Sequence, residues 1–172
     1  FKGGVYVGLD VESFSSEDLL YAQDHLRILS GLHGILRPLD LMKAYRLEMG
    51  THLNNKKGKN LYEFWGNKIT NSLNNVLKTS YSEFVINLAS NEYFKSIVPN
   101  KIHGSIINVK FLDKKNNNYK IISFFAKKAR GAMASFLLKN KIKTVHNLKK
   151  FSGLGYHFDE SISDEKVLAF IR

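Results

Sequence analysis

Cysteine is absent from the 172 residues. That excludes a disulfide framework, thiol peroxidase chemistry and disulfide exchange. No stretch of 18 apolar residues exists, so no membrane-spanning helix is expected. No signal-peptide pattern opens the chain, and a cytoplasmic protein is the expectation. Neither G-x-G-x-x-G nor G-x-x-x-x-G-K-[ST] occurs, which argues against nucleotide-cofactor and ATP chemistry. The six histidines (His25, His33, His52, His103, His146 and His157) show no H-x-H or H-E-x-x-H spacing, so no metal and no cofactor are expected. Methionine is missing from the first position, and Phe1–Asp10 reads as mid-domain sequence. The expectation is a chain without its natural start.

What is present is a folded composition. Hydrophobic residues make up 44% and aromatic residues 12%, too much apolar content for a disordered chain and enough for one domain with a sizeable core. The net charge of +11 is concentrated. Residues 1–92 hold ten basic and ten acidic side chains, whereas residues 93–150 hold fourteen basic ones and a single acid, Asp113. Residues 151–172 hold two basic and four acidic ones. A block of one sign points to a polyanion, nucleic acid first. The competing reading is a lysine-rich solvated surface, because 21 lysines and 16 asparagines stand beside only five arginines. Against that bias Arg27, Arg37, Arg46, Arg130 and Arg172 stand out as positions where a planar guanidinium is wanted.

Arg27 and Arg46 flank, and Arg37 lies within, Leu29–Ser30–Gly31–Leu32–His33–Gly34–Ile35–Leu36–Arg37–Pro38. Its glycines have the h-x-G-h-x-G spacing of a turn between two helices, resembling a helix-hairpin-helix over 29–37. Glycine there ends a helix and lets a phosphate backbone approach. Pro38 works against a second helix starting at once after Gly34. By itself the spacing is more often only a turn.

The expected class is α/β, a mixed α+β fold in a single domain over 1–172. Gly4–Leu9 reads as a strand, and a helix capped by Ser15 or Ser16 should run to about Leu29. Leu61–Leu77 carries one continuous apolar stripe and reads as a helix, with Trp65 in the core. Phe84–Leu88 reads as a strand. Ile106–Leu112 and Tyr119–Phe125 form an antiparallel hairpin over 106–125, joined by a long polar turn. Ala126–Asn140 is a helix, Thr144 caps a short one, and Tyr156–Phe158 and Val167–Ile171 are strands.

Ala126–Lys127–Lys128–Ala129–Arg130–Gly131 sets three cations at a helix start, against the helix dipole. A bound phosphate would reverse that sign. Lys127 and Arg130 share a face with Gly131 and Ala134, small enough to admit a backbone. A helix starting nearer Ser123 would remove the anomaly. Ser90 reads as a helix cap sooner than a nucleophile, since no base is assigned to it. Asp40, Glu48 and Glu92 are the acids expected near a basic surface, pairing with Arg46 sooner than holding a metal.

Taken together, LRILSGLHGILRPLDLMKAYRLEMG (26–50), NLYEFWGNKIT (60–70), NLASNEYFKS (87–96) and KIISFFAKKARGAMASFLL (120–138) resemble the YaaA family, also called DUF328 or UPF0246. The resemblance covers essentially the whole chain. It implies a bacterial cytoplasmic protein of the hydrogen peroxide stress response, linked to limiting oxidative damage and free iron. It implies DNA binding through a basic cleft and a helix-hairpin-helix in an unusual α/β fold. Carried onto matching positions, the DNA-binding residues are Gly31, Gly34, Arg37, Arg46, Lys127, Lys128 and Arg130. The family's opening ISPAKT-like strand has no counterpart here. The partner expected is DNA, duplex or branched, and the protein is expected to be monomeric. Two alternatives stay open: a DNA-processing enzyme (glycosylase, lyase or nuclease) with a buried lysine such as Lys127 as nucleophile, and an iron-handling protein using His and carboxylates. No catalytic residue is identified.

Overall fold

A computed structural model describes all residues 1–172 and shows an α/β protein. In chain order the helices are α1 (Gly4–Leu9), α2 (Ser16–His25), α3 (Leu61–Trp65), α4 (Lys68–Ser80), α5 (Asn91–Phe94), α6 (Ser123–Lys139) and α7 (Val145–Leu148). The strands are β1 (Ile28–Ser30), β2 (Gly34–Leu36), β3 (Phe84–Asn87), β4 (Ser105–Lys115), β5 (Asn118–Lys120), β6 (His157–Asp159) and β7 (Val167–Ile171). The chain divides into two compact units, Phe1–Tyr21 with Ile107–Arg172, and Ala22–Ile106.

In the first unit β7 runs parallel to β4, with Phe111 opposite Phe170, and β6 runs antiparallel to β7. Strand β4 alternates: Ile107, Phe111 and Asp113 are buried while Lys110 and Lys114 are exposed. Phe111, Phe151, Tyr156 and Phe170 form the aromatic core, with ring centroids 5.1–5.9 Å apart. The expected hairpin over 106–125 is present, but β4 extends to Lys115 and the turn shrinks to Asn116–Asn117. Both asparagines have positive φ (50° and 61°). That is the two-residue turn whose twist suits a hairpin, and asparagine tolerates it. The second strand ends at Lys120 because α6 begins at Ser123.

Gly4–Leu9 is a helix, not the expected strand. Val5, Tyr6 and Val7 favour a strand locally, yet Gly4 and Gly8 lie four apart, on one helical face. A Cβ on Gly8 would lie 2.0 Å from the Lys128 carbonyl oxygen, and one on Gly131 would lie 1.8 Å from that of Val5. The two helices therefore touch backbone to backbone, and this packing overrides the local preference. Helix α2 starts on a reciprocal cap: the Asp18 N–H donates to Ser15 Oγ at 3.1 Å and the Ser15 N–H donates to Asp18 Oδ2 at 2.9 Å.

The second unit buries Met49, Leu61, Ile69 and Ile97, against which Leu29, Ile35, Trp65 and Leu73 pack. The expected single helix over Leu61–Leu77 is two, because Gly66 takes φ +49° and ends α3. The glycine stretch is not a helix-hairpin-helix. Its register, Ile28 to Leu36, Leu29 to Ile35 and Ser30 to Gly34, is an antiparallel β-hairpin. Three residues connect the strands, Ser30 Oγ accepts the His33 N–H at 2.9 Å, and Gly34 holds φ +74°. Helix α2 stops at His25 rather than Leu29, and the Arg27 guanidinium donates to the Gln23 and Leu26 carbonyls at 3.0 and 2.8 Å. The glycine that looked like a helix terminator closes a hairpin, because β-prone Ile28–Leu29 and Ile35–Leu36 flank it.

Candidate nucleic-acid interface

Helix α6 carries the AKKARG segment. It starts at Ser123 with no side-chain cap and no acid in its first turn. Lys127, Lys128 and Arg130 thus lie beyond the first turn, and the dipole penalty expected of them is small. Lys127 and Lys128 are exposed, and neither forms an ion pair. Arg130 is half-buried with Nε donating to the Ala126 carbonyl at 3.3 Å, and burial pushes its guanidinium pKa down. The small face at Gly131, expected to admit a phosphate backbone, is occupied by the backbone of α1. A lysine nucleophile of the lyase kind needs burial, and Lys127 is exposed.

The hairpin before α6 adds cations. Lys110, Lys114, Lys115 and Lys120 are exposed and form no ion pair. The one acid of the basic block is turned inward and used. Asp113 Oδ1 accepts from Arg172 Nε at 2.8 Å and Oδ2 accepts from Tyr156 Oη at 2.8 Å. The Arg172 guanidinium also lies 4.4 Å from the Phe125 ring centroid and 4.7 Å from that of Tyr156. Arg172 is thereby a structural arginine. Elsewhere in this unit the Lys139 ammonium donates to Ser13 Oγ at 2.6 Å and Lys141 pairs with Glu17.

Four site residues expected from the sequence lie in the second unit, where most are engaged internally. A Cβ on Gly31 would stand 2.6 Å from the Leu47 carbonyl oxygen, and one on Gly34 would stand 2.8 Å from the Trp65 ring. Trp65 Nε1 donates to the Gly31 carbonyl at 2.9 Å. The close approaches these glycines allow are made by their own chain. The Arg37 fork is taken by Asp40, with Nε and Nη2 donating to Oδ1 at 3.0 and 2.9 Å. The Arg37 N–H donates to Asp40 Oδ2 at 2.9 Å, and these bonds hold the Asp40 carboxyl below the usual carboxylate range. Arg46 faces Glu48 at 3.5 Å with both side chains largely in solvent. Glu92 accepts from the Gly50 N–H at 2.9 Å, and Ser90 caps α5. No three His, Asp or Glu side chains gather within reach of one metal ion.

Sequence reasoning left out two exposed aromatics, Tyr119 and Phe124, which border the free lysines. Reading 119–125 as one strand hid them. The signal available was spacing: Phe124 is three and four residues before Lys127 and Lys128, so a helix through all three puts them on one face.

The family model for peroxide stress protein YaaA matches residues 1–162. A UPF0246 protein of Saccharophagus degradans is 59% identical over all 172 residues, which span 67% of that relative. UPF0246 proteins of Shewanella amazonensis and Aliivibrio fischeri are 55% and 56% identical over the same 172 residues, spanning 67% and 66% of their lengths. No helix is long and apolar enough to cross a membrane. With a family model matched along nearly its whole length and relatives above half identity, the chain belongs to the peroxide stress protein YaaA family, the UPF0246 proteins, which associates it with the oxidative stress response.

Proposed function

We propose that the protein binds DNA through the basic surface of the first unit, as its part in the peroxide stress response. The observation that carries this reading is an imbalance of free charge. Six exposed lysines (Lys110, Lys114, Lys115, Lys120, Lys127 and Lys128) lack a carboxylate partner, while the only acid of residues 93–150 is buried on Arg172 and Tyr156. Lysine ammonium groups without partners favour a polyanion and release its counterions. They contact phosphate and carry no base information, so binding is weakly dependent on sequence. The glycine hairpin of the second unit then serves chiefly as framework, with Arg46 more available than Arg37.

Replacing Lys114, Lys115, Lys127 and Lys128 by Gln tests the reading in a duplex-binding titration. Binding should weaken by similar factors for unrelated duplex sequences, because only backbone contacts are lost. A quadruple variant that binds duplex DNA as tightly as the parent would remove the assignment.

A further inference from the structure

Phe124 is an anomaly beside the lysines. It is 75% exposed in the first turn of α6, where a cap or an acid is the usual occupant. Its neighbour Phe125 has a partner in the Arg172 guanidinium, 4.4 Å from the ring centroid. Phe124 makes an edge-to-face ring contact with Phe125, at 5.6 Å between centroids. One helical turn on, and on the same face, stand Lys127 and Lys128. A second pair repeats the combination on the hairpin. Tyr119 is 44% exposed and lies directly opposite Lys114 in the β4–β5 register, so both project to one side of the sheet.

An exposed ring flanked by unpaired ammonium groups matches one ligand chemistry well: a planar base attached to phosphate. A duplex offers phosphates but keeps its bases stacked inside; a single strand offers both. We propose that the exposed face of α6 with Phe124, Lys127 and Lys128, and the hairpin face with Tyr119 and Lys114, take single-stranded nucleic acid, the rings stacking on unpaired bases and the lysines meeting the phosphates. The proposal rests on the DNA-binding reading above and names the class of DNA within it. The absence of any free carboxylate among residues 105–128 favours this occupant over an apolar protein segment, which would leave the lysines uncompensated.

The test compares a fluorescein-labelled oligothymidylate with a blunt duplex of equal length, using the parent and Phe124→Ala, Phe124→Leu, Phe124→Tyr and Tyr119→Ala. Circular dichroism checks that each variant is folded. Loss of one stacking contact should weaken oligothymidylate binding roughly 5- to 150-fold in Phe124→Ala. Duplex binding and the salt slope should change by less than about twofold, since no phosphate contact is lost. Phe124→Tyr should bind like the parent and Phe124→Leu like Phe124→Ala. If Leu binds as well as Phe, the ring is only an apolar cover and the stacking proposal is overturned. It is overturned equally if Phe124→Ala weakens both probes alike. A parent that binds neither probe defeats the DNA-binding reading itself, whereas a parent that binds both with Phe124→Ala unaffected defeats this inference alone.

Discussion

The carboxylate of Asp113 accepts hydrogen bonds from both Nε and Nη2 of Arg172, at 2.8 and 2.5 Å. This pair ties the inward face of β4 to the residue that follows β7, and the Tyr156 hydroxyl donates to the same carboxylate at 2.8 Å. Asp113→Asn leaves the Arg172 charge without its partner and the Tyr156 hydroxyl with a weaker acceptor. A loss of about 1–3 kcal/mol is expected in denaturant unfolding, because the group is buried although the arginine is partly in solvent.

The same network sets an alkaline limit. Burial, and then the hydrogen bond to the Asp113 carboxylate, push the Tyr156 hydroxyl well above its ordinary value of 10.0. The folded state therefore holds this proton more tightly than the unfolded state. The stability it contributes is complete below about pH 10 and declines as pH rises beyond that. Stability measured from pH 9 to about 11 should fall, and Tyr156→Phe should make the fall shallower. An identical slope in Tyr156→Phe would show that Tyr156 does not control it.

Gly131→Ala sets two effects against each other. In the middle of α6 the change gains roughly 1 kcal/mol of helix propensity. Against it, the new Cβ would lie 1.8 Å from the Val5 carbonyl oxygen and 2.6 Å from the Leu9 nitrogen. These neighbours are backbone and cannot rotate away. Overpacking of about 1–3 kcal/mol or more should win, so the variant melts lower, and the signal should come from α1 detaching. Stabilisation of the variant would mean that α1 does not pack on this face.

Gly34→Ala tests the hairpin. A left-handed φ of +74° and the Trp65 ring 2.8 Å from the added carbon both oppose it. Alanine should destabilise by more than about 1 kcal/mol, and the fluorescence of Trp65, the one tryptophan, should shift as its ring is displaced. At a helix-hairpin-helix turn the same substitution would instead act mainly on DNA binding.

The contrast shows what was legible in the residues. Strand β7 over Val167–Ile171, the Thr144 and Ser90 caps and the antiparallel hairpin were readable, since each depends on neighbours within a few residues. Gly4–Leu9 was not, because its conformation is decided by α6, more than a hundred residues away. Gly31–Gly34 was misread for a related reason: a left-handed glycine ends helices and closes hairpins alike, and only the partner strand and Trp65 decide. At the candidate interface, the structure shows Lys127 and Lys128 exposed, and charge counting had singled out their block. It did not reveal that Arg37 is held by Asp40, that Arg172 is held by Asp113, or that two aromatic rings stand in solvent beside the lysines.

The most direct test of the account is the salt dependence of DNA binding by the parent and by a Lys127→Gln, Lys128→Gln variant. A plot of log K against log salt should be steep and negative, with a slope of roughly −0.9 per phosphate neutralised on a duplex. The variant should flatten it by about 1.8, the share of two lysines. A slope near zero in the parent, or one unchanged in the variant, would contradict the claim that these lysines hold DNA.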